Sequence, residues 1–481
     1  MAKPPIIVWF RQDLRLSDNP ALNWAAERAP LLPVYVMDEA APGIWRHGGA
    51  ARWWLHHSLE ALAASLRDRG LPLLLRSGPA AQVIPALAGE TRAQAVVWNR
   101  CYEPYAITRD TALKEQLSGE GYAVKSFNAA LLHEPWALQT GSGGPYKVYT
   151  PFWKALLGKG EPPEPLSPPG NLQAPADAPN SEELADWALT PTSPDWAGGL
   201  RATWTPGPDG ARQRLNSFLN RAIDDYATGR DRPDIDGTSG LSPHLHHGEI
   251  GPREVWHAVR ARMAEGDTDE SSAMAFLSDL GWRDFSYHLL YHFPDLPDRN
   301  FKKQFDAFPW AEDMPALQRW QRGETGYPIV DAGMRQLWQI GHMHNRLRMI
   351  VGSFLVKDLK LHWWHGERWF WDTLVDADLA SNAAGWQWVA GCGADAAPFF
   401  RIFNPVRQSE KFDPEGTFIR SYVPEIAGLP TKHIHAPWEA PQFVLDKAGI
   451  RLGETYPRPM VDHKAAREAA LKAFETIKQA A

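Results

Sequence analysis

The sequence predicts an α/β N-terminal doubly wound parallel-sheet domain plus a large all-α C-terminal domain, and three observations carry the prediction. Within the first 130 residues, short β-branched or leucine-rich runs alternate with segments of helical period. From about 131 to 208 the composition shifts to Pro, Gly, Ser and Ala. Beyond that stretch the helical period dominates to the end. Strand–helix alternation implies parallel strands joined by crossover helices. The expected organisation is an α/β domain over 1–130, an interdomain linker over 131–208, and a helical domain over 209–481 that is large enough for its own core.

Each element has its own justification. Ile6 to Phe10, Leu31 to Met37, Leu71 to Leu75, Ala95 to Trp98 and Tyr122 to Phe127 read as buried parallel strands. In ARWWLHHSLEALAASLRDRG, Trp54, Leu55, Leu59, Leu62 and Leu66 follow helical spacing and Gly70 supplies a stop. No G-x-G-x-x-G follows the first strand, so the usual dinucleotide fingerprint is missing. EPPEPLSPPG and PTSPDWAGG mark the linker, and GSGGP at 141–145 lacks the Lys-Ser/Thr that a phosphate loop needs. Later helices fit ARQRLNSFLNRAIDDYA, GPREVWHAVRARMAEG, SSAMAFLSDLGWRDFSYHLLYHF, DAGMRQLWQIG, HNRLRMIVGSFLVKDL and DHKAAREAALKAFETIKQA.

The composition is 44% hydrophobic and 22% charged over 481 residues, which excludes disorder of the whole chain. No run approaches the length of a membrane span, and no secretory signal opens the chain. Cys101 and Cys392 are too few for a disulfide framework or a Cys-based metal site, so a cytoplasmic location is expected. A net charge of -7 argues against nucleic acid. Distribution matters more than the sum, because Arg230, Arg232, Arg283, Arg346, Arg348, Arg401 and Arg407 lie where aromatic residues are densest. Ion pairing is the bland reading of these arginines, as core packing is of most of the 23 Trp.

Four strings in the helical half are too polar for their setting. In DGTSGLSPHLHHGEI, Thr238, Ser239 and Ser242 flank Gly240 at a helix start, with Pro243 in the first turn. Such a place suits either simple N-capping or an anion. The histidines there, and His342 with His344, lack metal-ligand spacing. In FLSDLGWRDFSYHL, Asp279 and Arg283 are four apart and can pair along a mostly apolar helix. In HMHNRLRMIVGSFLVKDL, Asn345, Arg346 and Arg348 stand where a helix enters the core. The fourth, WFWDTLVDADLASNAAGWQWVAGCGADAAPFFRIFNPVRQ, sets Asp376, Asp378, Asn382, Asp395, Trp386 and Trp388 among small residues. Small residues admit a flat ring and alternating carboxylates and amides can read its edge, so this pocket suits a heterocycle better than a metal.

The set TSGLSPHLHHGEI, LSDLGWRDF, MHNRLRMI and GERWFWDTLVDADLASNAAGWQWVAGCGADAAPFFRIFNP resembles the photolyase/cryptochrome family throughout its flavin-binding half. The N-terminal WFRQDLRLSDNPAL resembles the family's opening strand and turn, so the likeness spans essentially the whole chain.

By matching positions, the resemblance implies a folded-back FAD held by Tyr226, Thr238, Ser239, Leu241, Ser242, Phe276, Arg283 and Asn345. Asp376 and Asp378 would face the flavin edge, with Arg348 paired to Asp376 and Asn382 beside N5. The residue at the Asn382 position varies in the family, and an amide is typical of DNA-repairing members. Trp386, Trp363 and Trp310 match its electron relay, although each Trp alone reads as core. Asp279, Trp282, Asn345, Arg346, Met349 and Trp388 fall on lesion-pocket positions, with Trp282 and Trp388 stacking on extruded pyrimidines and Arg230 and Arg346 on flanking phosphates.

One departure is Asp279, where cyclobutane-dimer photolyases commonly carry Glu. Members acting on (6-4) photoproducts have His at the Asn345 and Met349 positions, and neither is His here, which favours the cyclobutane dimer. The implied activity is light-driven repair of UV-damaged DNA by reduced FAD, a carbon–carbon lyase reaction. An antenna chromophore, methenyltetrahydrofolate or deazaflavin, is a further implication, with Glu103 in NRCYEPYAITRD at a matching position. The rival reading is a cryptochrome-like blue-light receptor, which a long C-terminal tail would favour; only a mostly helical stretch follows RIFNPVRQ here. A monomer without membrane association is expected.

Overall fold

The computed structural model describes residues 3–266 and 268–479. Five strands form one parallel sheet: β1 (Ile6–Phe10), β2 (Leu31–Met37), β3 (Leu74–Ser77), β4 (Ala95–Asn99) and β5 (Ala123–Phe127). Their order is β3-β2-β1-β4-β5. Ile6 pairs in register with Leu31 on one side and Ala95 on the other. Helices Pro20–Ala26 and Gly49–Arg67 cover one face through Ala21, Leu22, Leu55, Leu59 and Leu62. Helices Ala80–Thr91 and Pro104–Gly119 cover the other through Ile84, Leu87, Leu113 and Leu117. The fold is therefore the doubly wound sheet that alternation predicted.

Two strand readings need correction. β3 starts at Leu74, not Leu71, because Pro72 has no N–H to give a ladder and pairing begins at Val34–Leu74. β5 is not buried on both faces. It is an edge strand of exposed and half-buried residues, and its Lys125 and Ser126 fit an edge.

The chain divides into two compact units that interleave along it. The first comprises the chain up to Asp224, Ser239–Pro294 and Val375–Ala380; the second comprises Asp225–Thr238, Asp295–Leu374 and the chain from Ser381 on. In the first unit the 131–208 stretch contains one α-helix of more than two turns, Tyr149–Leu157, with Tyr149, Phe152 and Leu156 buried. The single helix expected over 211–227 is two, Pro208–Arg221 and Tyr226–Gly229. Helix Glu270–His292 matches its prediction within a residue.

The second unit is helical, with Met314–Arg322, Pro328–Ile340, Asn345–Ser353 and Trp363–Thr373 in succession. The helix expected through Leu359 is α-helical only to Ser353 and continues as a π turn, Phe354–Asp358. Helix His463–Gln479 closes the described chain; Ala480, expected to belong to it, lies outside the described residues. Among the described residues no helix is long and apolar enough to cross a membrane.

Candidate functional site

The residues expected to hold a flavin fall in both units. In the first, Ser242 opens the short helix Ser242–His246, with Pro243 in its first turn. Its hydroxyl makes no cap bond; it donates to Asp376 Oδ2 at 2.6 Å. Capping, the bland reading of this string, is thus not what Ser242 does. Asp378 accepts the Tyr287 hydroxyl and has His246 Nδ1 at 3.6 Å. Burial pushes the Asp378 carboxyl up, but His246, the Arg283 charge and Tyr287 together hold it below the usual carboxylate range. Asp378 is therefore an anion at neutral pH.

Arg283 donates to the carbonyls of Ala130 and Leu245 and lies 5.1 Å from the Tyr287 ring centre. Phe276 packs on Phe218 at 4.5 Å. Leu241 is buried and Asp279 half-buried. Trp282 stacks on Tyr149 at 3.7 Å and 13°, so one of its faces is already covered. The histidines of the first string are structural: His244 pairs with Glu249 and His247 contacts the Val375 carbonyl at 3.3 Å.

In the second unit, Arg230 lies 5.7 Å from the Tyr226 ring centre. Gly237, just before Thr238, passes so close to Gly229 that a Cβ would come within 2.7 Å of its carbonyl. The helix from Asn345 is capped by His344, whose Nδ1 accepts the Arg346 N–H at 3.2 Å. Arg348 Nε donates to the Met343 carbonyl at 2.7 Å. Arg346 pairs with Asp231 at 2.5 Å, contacts Met349 Sδ at 3.7 Å, and lies over Phe412. Arg232 pairs with Asp234. The ion-pair reading thus holds for two of the arginines, and it lowers the charge Arg346 can offer a phosphate.

Asn382 and Trp386 stand on helix Leu379–Ala390. Asn382 is buried and donates Nδ2 to the Glu367 carbonyl at 3.0 Å, which fixes the amide with its oxygen pointing away from that carbonyl. Trp386 is buried and Trp388 half-buried. Trp363 donates to Asn300 Oδ1 at 2.9 Å, and Trp310 lies 4.8 Å from His362.

Glu367 was not singled out by the sequence reading. It is 1% exposed, neither carboxylate oxygen has a partner, and burial, with Asp298 adding to it, pushes its pKa well above the usual glutamate range. Burial thus disfavours its charged form. Its signal was a lone Glu inside the aromatic string HGERWFW. Tyr287, Asn300 and Trp320 carry no signal in the sequence either, since each meets a partner distant along the chain.

Buried polar atoms without partners mark where a polar ligand fits. In the second unit these include Trp386 Nε1, His344 Nε2 and both Glu367 oxygens. Within the second unit, these groups and the oriented Asn382 offer a mix of donors and acceptors of the kind a flavin needs. A separate cavity of about 440 Å³ is lined by Gln318, Gln321, Arg322, Arg335, Gln339 and the stacked pair Trp338 and Trp369, none of them expected site residues. The one cluster with metal-ligating geometry among the described residues is His56, His57 and Glu60.

Residues 6–170 match the family model described as DNA photolyase, and residues 276–476 match the one described as the FAD binding domain of DNA photolyase. A deoxyribodipyrimidine photo-lyase of Agrobacterium fabrum is 54% identical over 99% of this chain and 98% of its own. Cryptochrome-1 of Arabidopsis thaliana is 39% identical over 98% of this chain and 70% of its own. A class III photolyase from Agrobacterium tumefaciens superposes with a TM-score of 0.96 at 54% identity, covering 100% of this chain and 98% of its own. With a doubly wound parallel sheet and this degree of likeness, the chain belongs to the DNA photolyase family and carries that family's FAD-binding domain.

Proposed function

We propose that the protein repairs cyclobutane pyrimidine dimers in DNA by light-driven electron transfer from reduced FAD. The observation that carries this reading is the 54% identity to a deoxyribodipyrimidine photo-lyase along nearly the whole of both chains. Three site residues support it. Asn382 presents a neutral amide, which accommodates a reduced flavin anion without a second negative charge. Asn345 and Met349, neither of them His, favour the cyclobutane dimer over the (6-4) lesion.

Bound and reduced, FAD supplies a photoexcited one-electron donor whose electron returns after the dimer's ring has split. The protein's share is placement. Ser239, Leu241, Ser242, Thr238 and Tyr226 would hold the phosphate side, and Phe276, Arg283, Asn345, Asp376, Asp378 and Asn382 the ring side, with Arg348 balancing Asp376. Trp282, through the face opposite Tyr149, and Trp388 would stack on the two pyrimidines. Asp279 and Asn345 would hydrogen-bond their edges, Met349 would pack against them, and Arg230 and Arg346 would hold flanking phosphates. Trp386, Trp363 and Trp310 would return oxidised flavin to its working state.

We also infer an antenna chromophore, methenyltetrahydrofolate or a deazaflavin, on the sheet. In a doubly wound sheet ligands bind beyond the carboxyl ends of the strands where the order reverses, here between β1 and β4. Glu103 lies there, 2% exposed, with Oε1 accepting from Gln12 at 2.6 Å and Oε2 without a partner.

The test is direct. Reduced protein and a dimer-containing oligonucleotide under blue light should recover thymine absorbance. No recovery refutes the proposal, and recovery on a (6-4) substrate alone would reassign the lesion.

A further inference from the structure

The three relay tryptophans sit in unlike surroundings. Trp386 occupies an apolar box: its indole nitrogen is buried without a partner, and Phe370 and Trp320 meet its ring edge-on at 4.9 and 6.2 Å. A Cβ on Gly366 would come within 2.0 Å of that ring. A positive charge on this indole finds little to stabilise it. Trp363 stands three residues before Gly366 on the same helix, hence on the same face.

Trp363 is fully buried too, yet its N–H donates to Asn300 Oδ1 at 2.9 Å. Asn300 in turn donates Nδ2 to Asp306 Oδ1 at 2.8 Å. Asn300 is 8% exposed, while Asp306 lies at the surface. The path outward continues through His362, whose ring centre is 5.4 Å from Trp363 and 4.8 Å from Trp310. Burial pushes the His362 pKa down to about 4, so this ring adds no opposing positive charge.

We propose that Asn300, with Asp306 behind it, is the positioning residue that makes Trp363 easier to oxidise than Trp386 and so sends the electron vacancy outward. The proposal rests on the relay reading above. Trp386 gives one electron to photoexcited oxidised flavin, the oxidant this family's domain carries, and takes one from Trp363. Trp310 then gives one electron to Trp363. No proton leaves Trp386 or Trp363 in these transfers; the Trp363 N–H stays on the ring and its bond to Asn300 becomes charge-assisted. Charge-assisted bonds are roughly twice as strong as neutral ones, so the bond stabilises the oxidised ring more than the neutral one. Trp320, the tryptophan whose ring meets that of Trp386, donates to the Val351 carbonyl at 3.0 Å, a neutral amide. The carboxylate behind Asn300 tips the competition towards Trp363, by a margin that solvent at Asp306 reduces.

The test uses the whole protein with bound oxidised flavin. In the dark, the Trp363 indole N–H, identified by its loss in Trp363→Phe, should resonate downfield in a proton–nitrogen correlation spectrum and shift upfield in Asn300→Leu. After a light flash, Asn300→Leu should cut the charge-separated yield that survives back transfer by about tenfold. Asp306→Asn should cut it less, and Asn300→Asp, which keeps an acceptor on the indole, should restore most of it. An unchanged yield in Asn300→Leu despite a shifted N–H signal overturns the proposal. Should Asn300→Leu fail to fold, an unchanged yield in Asp306→Asn overturns it instead. The relay reading fails separately, if Trp386→Phe leaves charge separation undiminished.

Discussion

The carboxyl edge of the sheet and the surroundings of Trp386 both leave buried polar atoms unpaired, but of opposite character. At the sheet edge they belong to charged groups: Arg11 Nε and Glu103 Oε2 lack partners, beside the pairs Arg11–Asp110 at 2.8 Å and Arg109–Asp38 at 3.4 Å. Around Trp386 they are an indole N–H and, on the helix that carries Gly366, the Glu367 carboxyl, whose charged form burial disfavours. A charged edge suits a polar ligand that is held and does not react. An apolar aromatic box suits the passage of an electron better than a cluster of fixed charges does. Unpaired buried groups persist where function requires them, and their chemistry suits the two regions to different tasks.

The largest expected effect that separates the regions is chromophore loss. Glu103→Ala should remove any antenna absorbance that co-purifies while leaving the flavin bands and their photoreduction intact; loss of both would merge the two regions into one. Gly366→Ala attacks the box instead. Its Cβ must displace the Trp386 ring, and overpacking of this kind costs roughly 1–3 kcal/mol. A lower Tm with slowed flavin photoreduction is expected, and an unchanged Tm would mean the box is loose.

Binding of dimer-containing DNA should weaken steeply with salt despite the net charge of -7. Arg230→Ala should flatten the slope by about one phosphate's worth, whereas Glu103→Ala should not change it.

The smallest effect concerns pH. Burial pushes the Asp284 carboxyl up to about 7, although it accepts the Leu132 and His133 N–H groups. Its folded pKa lies above its unfolded value, so its contribution to stability is full below the ordinary aspartate range and is lost as pH rises through about 7. Asp284→Asn can keep both bonds through one oxygen. It should show a flatter fall in Tm from pH 4 to 8, and a profile parallel to the parent would contradict the assignment.

The sequence made the sheet legible because buried strands declare themselves by composition; β1 and β2 begin and end where their apolar runs do. Pairing partners decided β3, and Pro72 was the available warning. The flavin-type strings were legible as misplaced polarity, and only resemblance turned them into a cofactor site. What stayed hidden depends on contacts across the chain. Asn300 reaches Trp363 over 63 residues, and Tyr287 reaches Asp378 over 91. No local period marks either residue, so neither could be found before the fold brought its partner close.

The central claim is that the helical segments hold a flavin against a tryptophan relay beginning at Trp386. The most direct measurement is the absorption spectrum of the purified protein before and after blue light with an external reductant, for the parent and Trp386→Phe. The account predicts yellow protein in both, bleaching in the parent and none in Trp386→Phe. A colourless parent, or equal bleaching in the two, would contradict it.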